Sequence, residues 1–119
     1  MLNYISINVT DLERSGAFYD TLLSPLGWRR QLERDGSIGW GLVRPVFYIA
    51  IGEPHPDFGT VSFPTKAIPA VKAAWESGLE AGGGNKAQPG SPPAQGNSHY
   101  SARVSDPDGY TIEICVQNN

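Results

Sequence analysis

The chain has 119 residues, one domain's length on the usual prior of about 100–200 residues. Its 39% hydrophobic share excludes a wholly disordered chain, and 14 Gly with 10 Pro point to many turns and against a coiled coil or plain helix bundle. A net charge of −3 without a basic stripe excludes nucleic acid and an anionic membrane surface as natural partners, and no apolar run reaches the ~18 residues a membrane span needs.

Residues 1–9 alternate, with Ile5, Ile7 and Val9 apolar and Tyr4, Ser6 and Asn8 between them. Period two predicts a strand with one buried face. Residues 1–8 lack a charged segment followed by an apolar one, so no secretion signal is expected. Thr10 and Glu13 fit a capping box, and the spacing of Leu12, Tyr19, Leu22 and Leu23 predicts a helix over 12–24, ended by Pro25 and Gly27. Three strand candidates follow at 28–33, 38–43 and 46–51, with Asp35-Gly36 as a hairpin signal between the first two. Residues 53–57 form a stiff connector with two prolines. Beyond it the pattern restarts. Residues 60–63 read as a strand, and 65–81 as a helix carrying Ile68, Val71, Trp75 and Leu79 on one face. Pro69 sits in its first turn, where proline is tolerated. Residues 89–98 read as a loop that is neither strand nor helix. Residues 100–105 and 110–116 read as strands around the turn Asp106-Pro107-Asp108-Gly109.

The restart is a repeat. Ile5 and Val61, Ser6 and Ser62, Ile7 and Phe63, Leu12 and Ile68, Tyr19 and Trp75, Leu23 and Leu79, and Gly27 and Gly83 all share an offset of 56. The expected architecture is α+β: a single domain over 1–119, built of units 1–52 and 58–119 joined by the 53–57 connector. Each unit is a strand, a helix and a meander of about three strands. One helix covers one face of a sheet. The other face then carries Tyr4, Ser6, Asn8, Thr60, Ser62, Ser101, Arg103, Thr111, Glu113 and Cys115. Either that face is wetted, or two such faces enclose a cleft. Aromatic residues on or near the strands, among them Tyr4, Trp40 and Tyr100, favour the cleft.

Two stretches, NVTDLERSGAFYDTLLSPLGW and SARVSDPDGYTIEI, with a central strand–helix restart between them, together resemble the vicinal oxygen chelate superfamily. This is the glyoxalase, bleomycin-resistance and extradiol-dioxygenase group. The resemblance implies paired βαβββ units forming an open curved mixed sheet around a cleft, and a homodimer. Protection of exposed strand edges gives the dimer a physical motive. It also implies a His on the first strand of a unit and a Glu or Gln on the last strand of metal-dependent members. At those places this sequence has Tyr4 and Thr60, with Glu113 the one retained ligand position. The last strand of unit one offers no carboxylate, amide or imidazole. Divalent metals want roughly three or four such ligands, so neither a metal centre nor any other cofactor is expected.

Glu113 is a candidate catalytic base or ligand anchor, or else an ion-pair partner of Arg103. Arg103 either holds an anionic group or pairs with Glu113. Tyr4 and Tyr100 either stack on a flat ligand or fill space. Thr60 and Trp40 complete the expected cleft lining, and His99, after the 89–98 loop, either reaches over it or is a solvated loop residue. The single cysteine, Cys115, excludes an internal disulfide and fits a reduced, cytoplasmic protein. Two functions stay open on the sequence. One is a metal-free protein binding a small organic molecule. The other is a lyase, isomerase or dioxygenase of the same superfamily with an atypical metal site.

Overall fold

The computed structural model describes residues 4–90 and 100–116. In chain order the elements are β1 (Ile5–Val9), α1 (Leu12–Leu23), β2 (Arg29–Arg34), β3 (Ser37–Gly41), β4 (Phe47–Ile51), β5 (Thr60–Thr65), α2 (Ile68–Glu80), β6 (Gly84–Gly90), β7 (Ser101–Ser105) and β8 (Thr111–Val116). Short 3-10 turns lie at Ser24–Leu26 and Pro56–Phe58. The strands form two open four-stranded sheets, ordered β1-β4-β3-β2 and β5-β8-β7-β6. In each, the first and last strands pair in parallel and the other pairs are antiparallel. The parallel pair is possible because a helix and two strands intervene between its members.

The offset of 56 carries β1, α1 and β2 onto β5, α2 and β6. The later strands fall out of step, since Ile5 pairs with Phe47 whereas Val61 pairs with Ile112. The strand β6 has no counterpart in the sequence-based expectation. Its sequence, GNKAQPG, is poor in the β-branched and aromatic residues that mark strands. It pairs irregularly with β7, and residues 89 and 90, expected in a loop, close it. Translating β2 by the repeat offset is the signal that finds it. Residues 91–98 of the expected loop lie outside the described residues.

Both helices lie against the same side of the sheets. Ile7, Val9, Ile38, Trp40, Phe47 and Ile49 are buried with Phe18, Tyr19, Leu22 and Leu23 of α1. Val61, Phe63, Val104, Ile112 and Ile114 are buried with Val71 and Ala74 of α2. Each such burial is worth about 1.5–3 kcal/mol before entropy is counted. The two halves make one core. Phe47 and Phe63 meet edge to face at 5.0 Å. An added Cβ at Gly78 of α2 would sit 2.9 Å from Leu22 Cδ1, so the missing side chain is what lets the helices approach. Ile5 departs from the alternation: it is 43% exposed at the start of an edge strand.

The Asp106–Gly109 turn clasps the units together. The buried Asp106 accepts from the backbone N–H groups of Asp108 and Tyr110 through Oδ1, and from the Tyr19 hydroxyl at 2.5 Å through Oδ2. Asp108 accepts from the Thr10 hydroxyl at 2.7 Å and from Arg14. Tyr110 donates its hydroxyl to the Asn8 carbonyl at 2.8 Å and accepts from the His55 backbone N–H at 3.0 Å. With Thr10 committed to Asp108, Asp11 caps α1 instead, accepting from the Arg14 N–H at 3.0 Å. A carboxylate near a helix N-terminus is favoured by the helix dipole. Burial raises both the Tyr19 phenol and the Asp106 carboxyl above their ordinary values, so Tyr19 stays protonated and donates.

Candidate functional site

Strands β5, β8 and β7 align a polar face away from α2. Thr60 lies opposite Thr111, Ser62 opposite Glu113, and Glu113 opposite Arg103. Glu113 Oε1 accepts from the Ser62 hydroxyl at 2.7 Å. Its Oε2 accepts from Arg103 Nε and Nη2, each at 3.3 Å. The Glu113 side chain is 12% exposed and that of Arg103 47%. This pair is therefore partly solvated and contributes about 1 kcal/mol at most. Over it opens a cavity of about 680 Å³, walled by Thr60, Ser101, Arg103, Thr111 and Glu113, with residues 86–90 of β6 as the remaining wall. That volume suits a small organic ligand. Its lining offers hydroxyls, two cations, Arg103 and Lys86, and one carboxylate.

The structure thus brings Thr60, Arg103 and Glu113 together and separates the other candidates from them. Tyr4, 51% exposed, stands on the open face of the first sheet, in edge contact with Tyr48. Trp40 is corrected: it lies on the helix side, fully buried among Tyr19 and Phe47. Its indole N–H donates to Asp20 of α1 at 3.0 Å, which satisfies its one polar group inside the core. Tyr100 is corrected too. It packs partly buried against the core cluster, because the alternation that sends Ser101 and Arg103 to the open face sends Tyr100 with Ala102 and Val104 to the other. The expectation that the helices leave strand aromatics spare fails for both. His99 lies outside the described residues. The residues that sequence reasoning did not single out, Lys86 and Ser62 as a Glu113 partner, differ in legibility. Ser62 shares the open-face parity with Thr60, whereas Lys86 sits on the strand with no sequence signature. Cys115 follows Glu113 on this face, and burial, aided by the nearby Glu113 charge, pushes its thiol up, which keeps it protonated and unreactive.

A scan against protein-family models and a search of the curated proteins both return no match. Solved structures do match over nearly the whole chain. A glyoxalase/bleomycin resistance protein from Albidiferax ferrireducens T118 is 26% identical, with 99% of each chain covered and a TM-score of 0.84. A glyoxalase-related enzyme from Fulvimarina pelagi is 21% identical, covering 98% of this chain and 88% of that one, with a TM-score of 0.75. The fosfomycin resistance protein FosX from Mesorhizobium loti is 16% identical, covering 99% and 92%, with a TM-score of 0.72. The fold is that of the glyoxalase/bleomycin resistance/dioxygenase proteins. It is consistent with the vicinal oxygen chelate superfamily that the sequence motifs resemble.

A divalent metal does not fit the glyoxalase-type positions of this chain. Tyr4 directly precedes β1 and Thr60 opens β5, and Tyr48 of β4 holds the register place that Glu113 holds in β8. A phenol, a hydroxyl and a second phenol are poor donors beside one carboxylate. Both oxygens of that carboxylate already accept hydrogen bonds, one of them from a guanidinium whose charge opposes a cation. Among the described residues no three His, Cys, Asp or Glu side chains gather as a metal site. Nor is any helix there long and apolar enough to cross a membrane.

Proposed function

We propose that this glyoxalase-like protein binds a small polar organic molecule bearing an acidic group on the open face of its second sheet, without a metal. The observation that carries this reading is the cavity of about 680 Å³ walled by Arg103, Glu113 and hydroxyl side chains. Arg103 keeps donor capacity beyond its contacts with Glu113, since Nη1 has no partner among the described residues. Its fork suits a carboxylate or phosphate. Lys86 adds a second positive charge across the cavity. Glu113, steadied by Ser62 and Arg103, has lone pairs left to accept from a ligand hydroxyl or amide, and Thr60, Thr111 and Ser101 supply further polar contacts. The working picture is of a cytoplasmic homodimer, supported by the family resemblance, by the single cysteine and by strand edges left open in both sheets.

Thermal-shift titration with inorganic phosphate, malonate, citrate and 2-oxoglutarate tests the reading. At least one probe raises the melting temperature saturably, and Arg103→Ala abolishes that shift. The variant's own melting temperature stays within about 4 °C of the parent's, as expected for loss of a partly exposed pair. No shift with any probe, or a shift that persists in Arg103→Ala, contradicts the assignment.

A further inference from the structure

The strand β6 supplies one wall of the cavity over Arg103 and Glu113, yet its own sequence does little to hold it there. It lies at the free edge of the second sheet, with β7 as its one neighbour. Its seven residues face the five of β7, and the two extra ones fall between Asn85 and Gly90, where the register slips twice. Such slips leave residues unpaired and bend the strand, and Pro89 has no N–H to give to the ladder. Residues 86–90 are the part that walls the cavity, and they make no side-chain hydrogen bond among the described residues. We propose that Trp75 and Asn85 are positioning residues for the acid site: their hydrogen bond ties β6 to α2 and so sets where Lys86 stands. This rests on the acid-binding reading of the cavity and adds to it two residues that line none of it.

The tie is direct. Trp75 Nε1 donates to Asn85 Oδ1 at 3.1 Å. Trp75 packs partly buried against the core, which fixes its ring and the direction of its N–H. Asn85 lies opposite Val104, which is buried on the helix side, so its side chain faces α2 and not the cavity. The tie is also the last fixed point before the first slip. Beyond it Lys86 and Ala87 together oppose Arg103. In a regular ladder Lys86 would stand squarely across from Arg103, and like charges so placed repel. The extra residue moves Lys86 aside while both cations still line the cavity.

The first unit carries the same device. Asp20 of α1 accepts from Arg30 of β2 through two bonds of 2.8 Å. Both ties span ten residues, both join a helix to the outer strand of its sheet, and each directly precedes a register slip, after Arg30 and after Asn85. In the first unit the tie is a two-pronged ion pair. In the second it is one neutral hydrogen bond to an exposed asparagine, the weaker kind. The wall of the acid site is thus the outer strand that a small change releases.

The test reads ligand affinity and β6 protection together. Trp75→Phe keeps a ring against the core and removes the N–H. Amide hydrogen exchange at residues 86–88 should quicken by about threefold to tenfold, the effect of one lost hydrogen bond, with β8 unchanged. Asn85→Asp keeps an acceptor for the indole and should retain the protection. The probes are inorganic phosphate, malonate, citrate and 2-oxoglutarate. Each that binds the parent should bind about threefold or more weakly in Trp75→Phe and in Asn85→Ala, and no more weakly in the double variant than in either single one. In a Lys86→Gln background, where the positioned charge is already gone, Trp75→Phe should change affinity by less than about twofold. Unchanged exchange in Trp75→Phe, or unchanged affinity there while Arg103→Ala still abolishes binding, overturns the positioning role and leaves the acid site standing. A full further loss in the Lys86→Gln background also overturns it, since Trp75 would then act on the fold at large. If none of the four probes binds the parent, the acid-binding reading fails and takes the positioning role with it.

Discussion

The two open faces occupy the same places in two copies of one unit and carry opposite chemistry. Ser6, Tyr48 and Gly39 lie side by side across the first sheet, as Ser62, Glu113 and Arg103 do across the second. The serine is kept. Beside it, one face has a phenol resting on a glycine and the other an ion pair over a polar cavity. On the helix side the same strands stay apolar in both copies, with Ile7 and Ile49 in one and Phe63 and Ile114 in the other. The helix-covered face must fill a shared core at high density, so its chemistry is confined. The uncovered face is free to diverge, and it is there that the two copies differ in chemistry.

Substitutions at matched positions test how far the two copies differ. The largest effect is expected where the copies share a core. Phe63→Ala removes the ring that touches both Phe47 and Trp28, and should cost about 3–5 kcal/mol in chemical denaturation, with one transition for the whole chain. Separate transitions would show the units to be independent. Asp106→Ala is next. It strands two backbone N–H groups and the Tyr19 hydroxyl in the buried clasp, an expected loss of about 2–4 kcal/mol by the same measurement.

Gly39→Ala and Arg103→Ala place the same residue at equivalent register positions, and their costs should differ. The first drives a methyl into the Tyr48 edge and should destabilise by about 1–3 kcal/mol. The second removes half of a partly exposed pair and should cost about 1 kcal/mol or less. Equal costs would mean that the glycine does not carry the ring. The smallest effect is a pH dependence. Burial raises the folded-state carboxyl of Asp106 above its ordinary 3.8, so the native state takes up this proton before the unfolded chain does as pH falls. Relative to Asp106→Asn, the parent should gain stability as pH drops through the folded value, with the gain complete below 3.8. A constant difference between the two across that range would contradict the sign.

Much of this was legible in the residues. The offset of 56 and the period-two alternation place the helices, the first strands and the polar parity of Thr60, Ser62, Arg103 and Glu113. The alternation also contained the fate of Tyr100, which follows Ala102 and Val104 inward. It equally contained the fate of Trp40, which shares its parity with Ile38, but not the Asp20 carboxylate of α1 that accepts from the indole N–H. Nor did it show β6, a strand formed by its neighbour β7 and not by its own glycine- and proline-bearing sequence. The Asp106–Asp108 turn was legible as a turn, but its bonds to Tyr19 and Thr10 span the two units, and no local pattern encodes them.

The reading of the second open face as a metal-free surface turns on Glu113, the one carboxylate at a glyoxalase-type position, being held by Arg103 and Ser62 and not by a cation. Elemental analysis of protein purified without chelator tests it most directly. The expected result is transition metal far below one equivalent per chain, unchanged by Glu113→Ala. One equivalent in the parent protein, lost in Glu113→Ala, would contradict it.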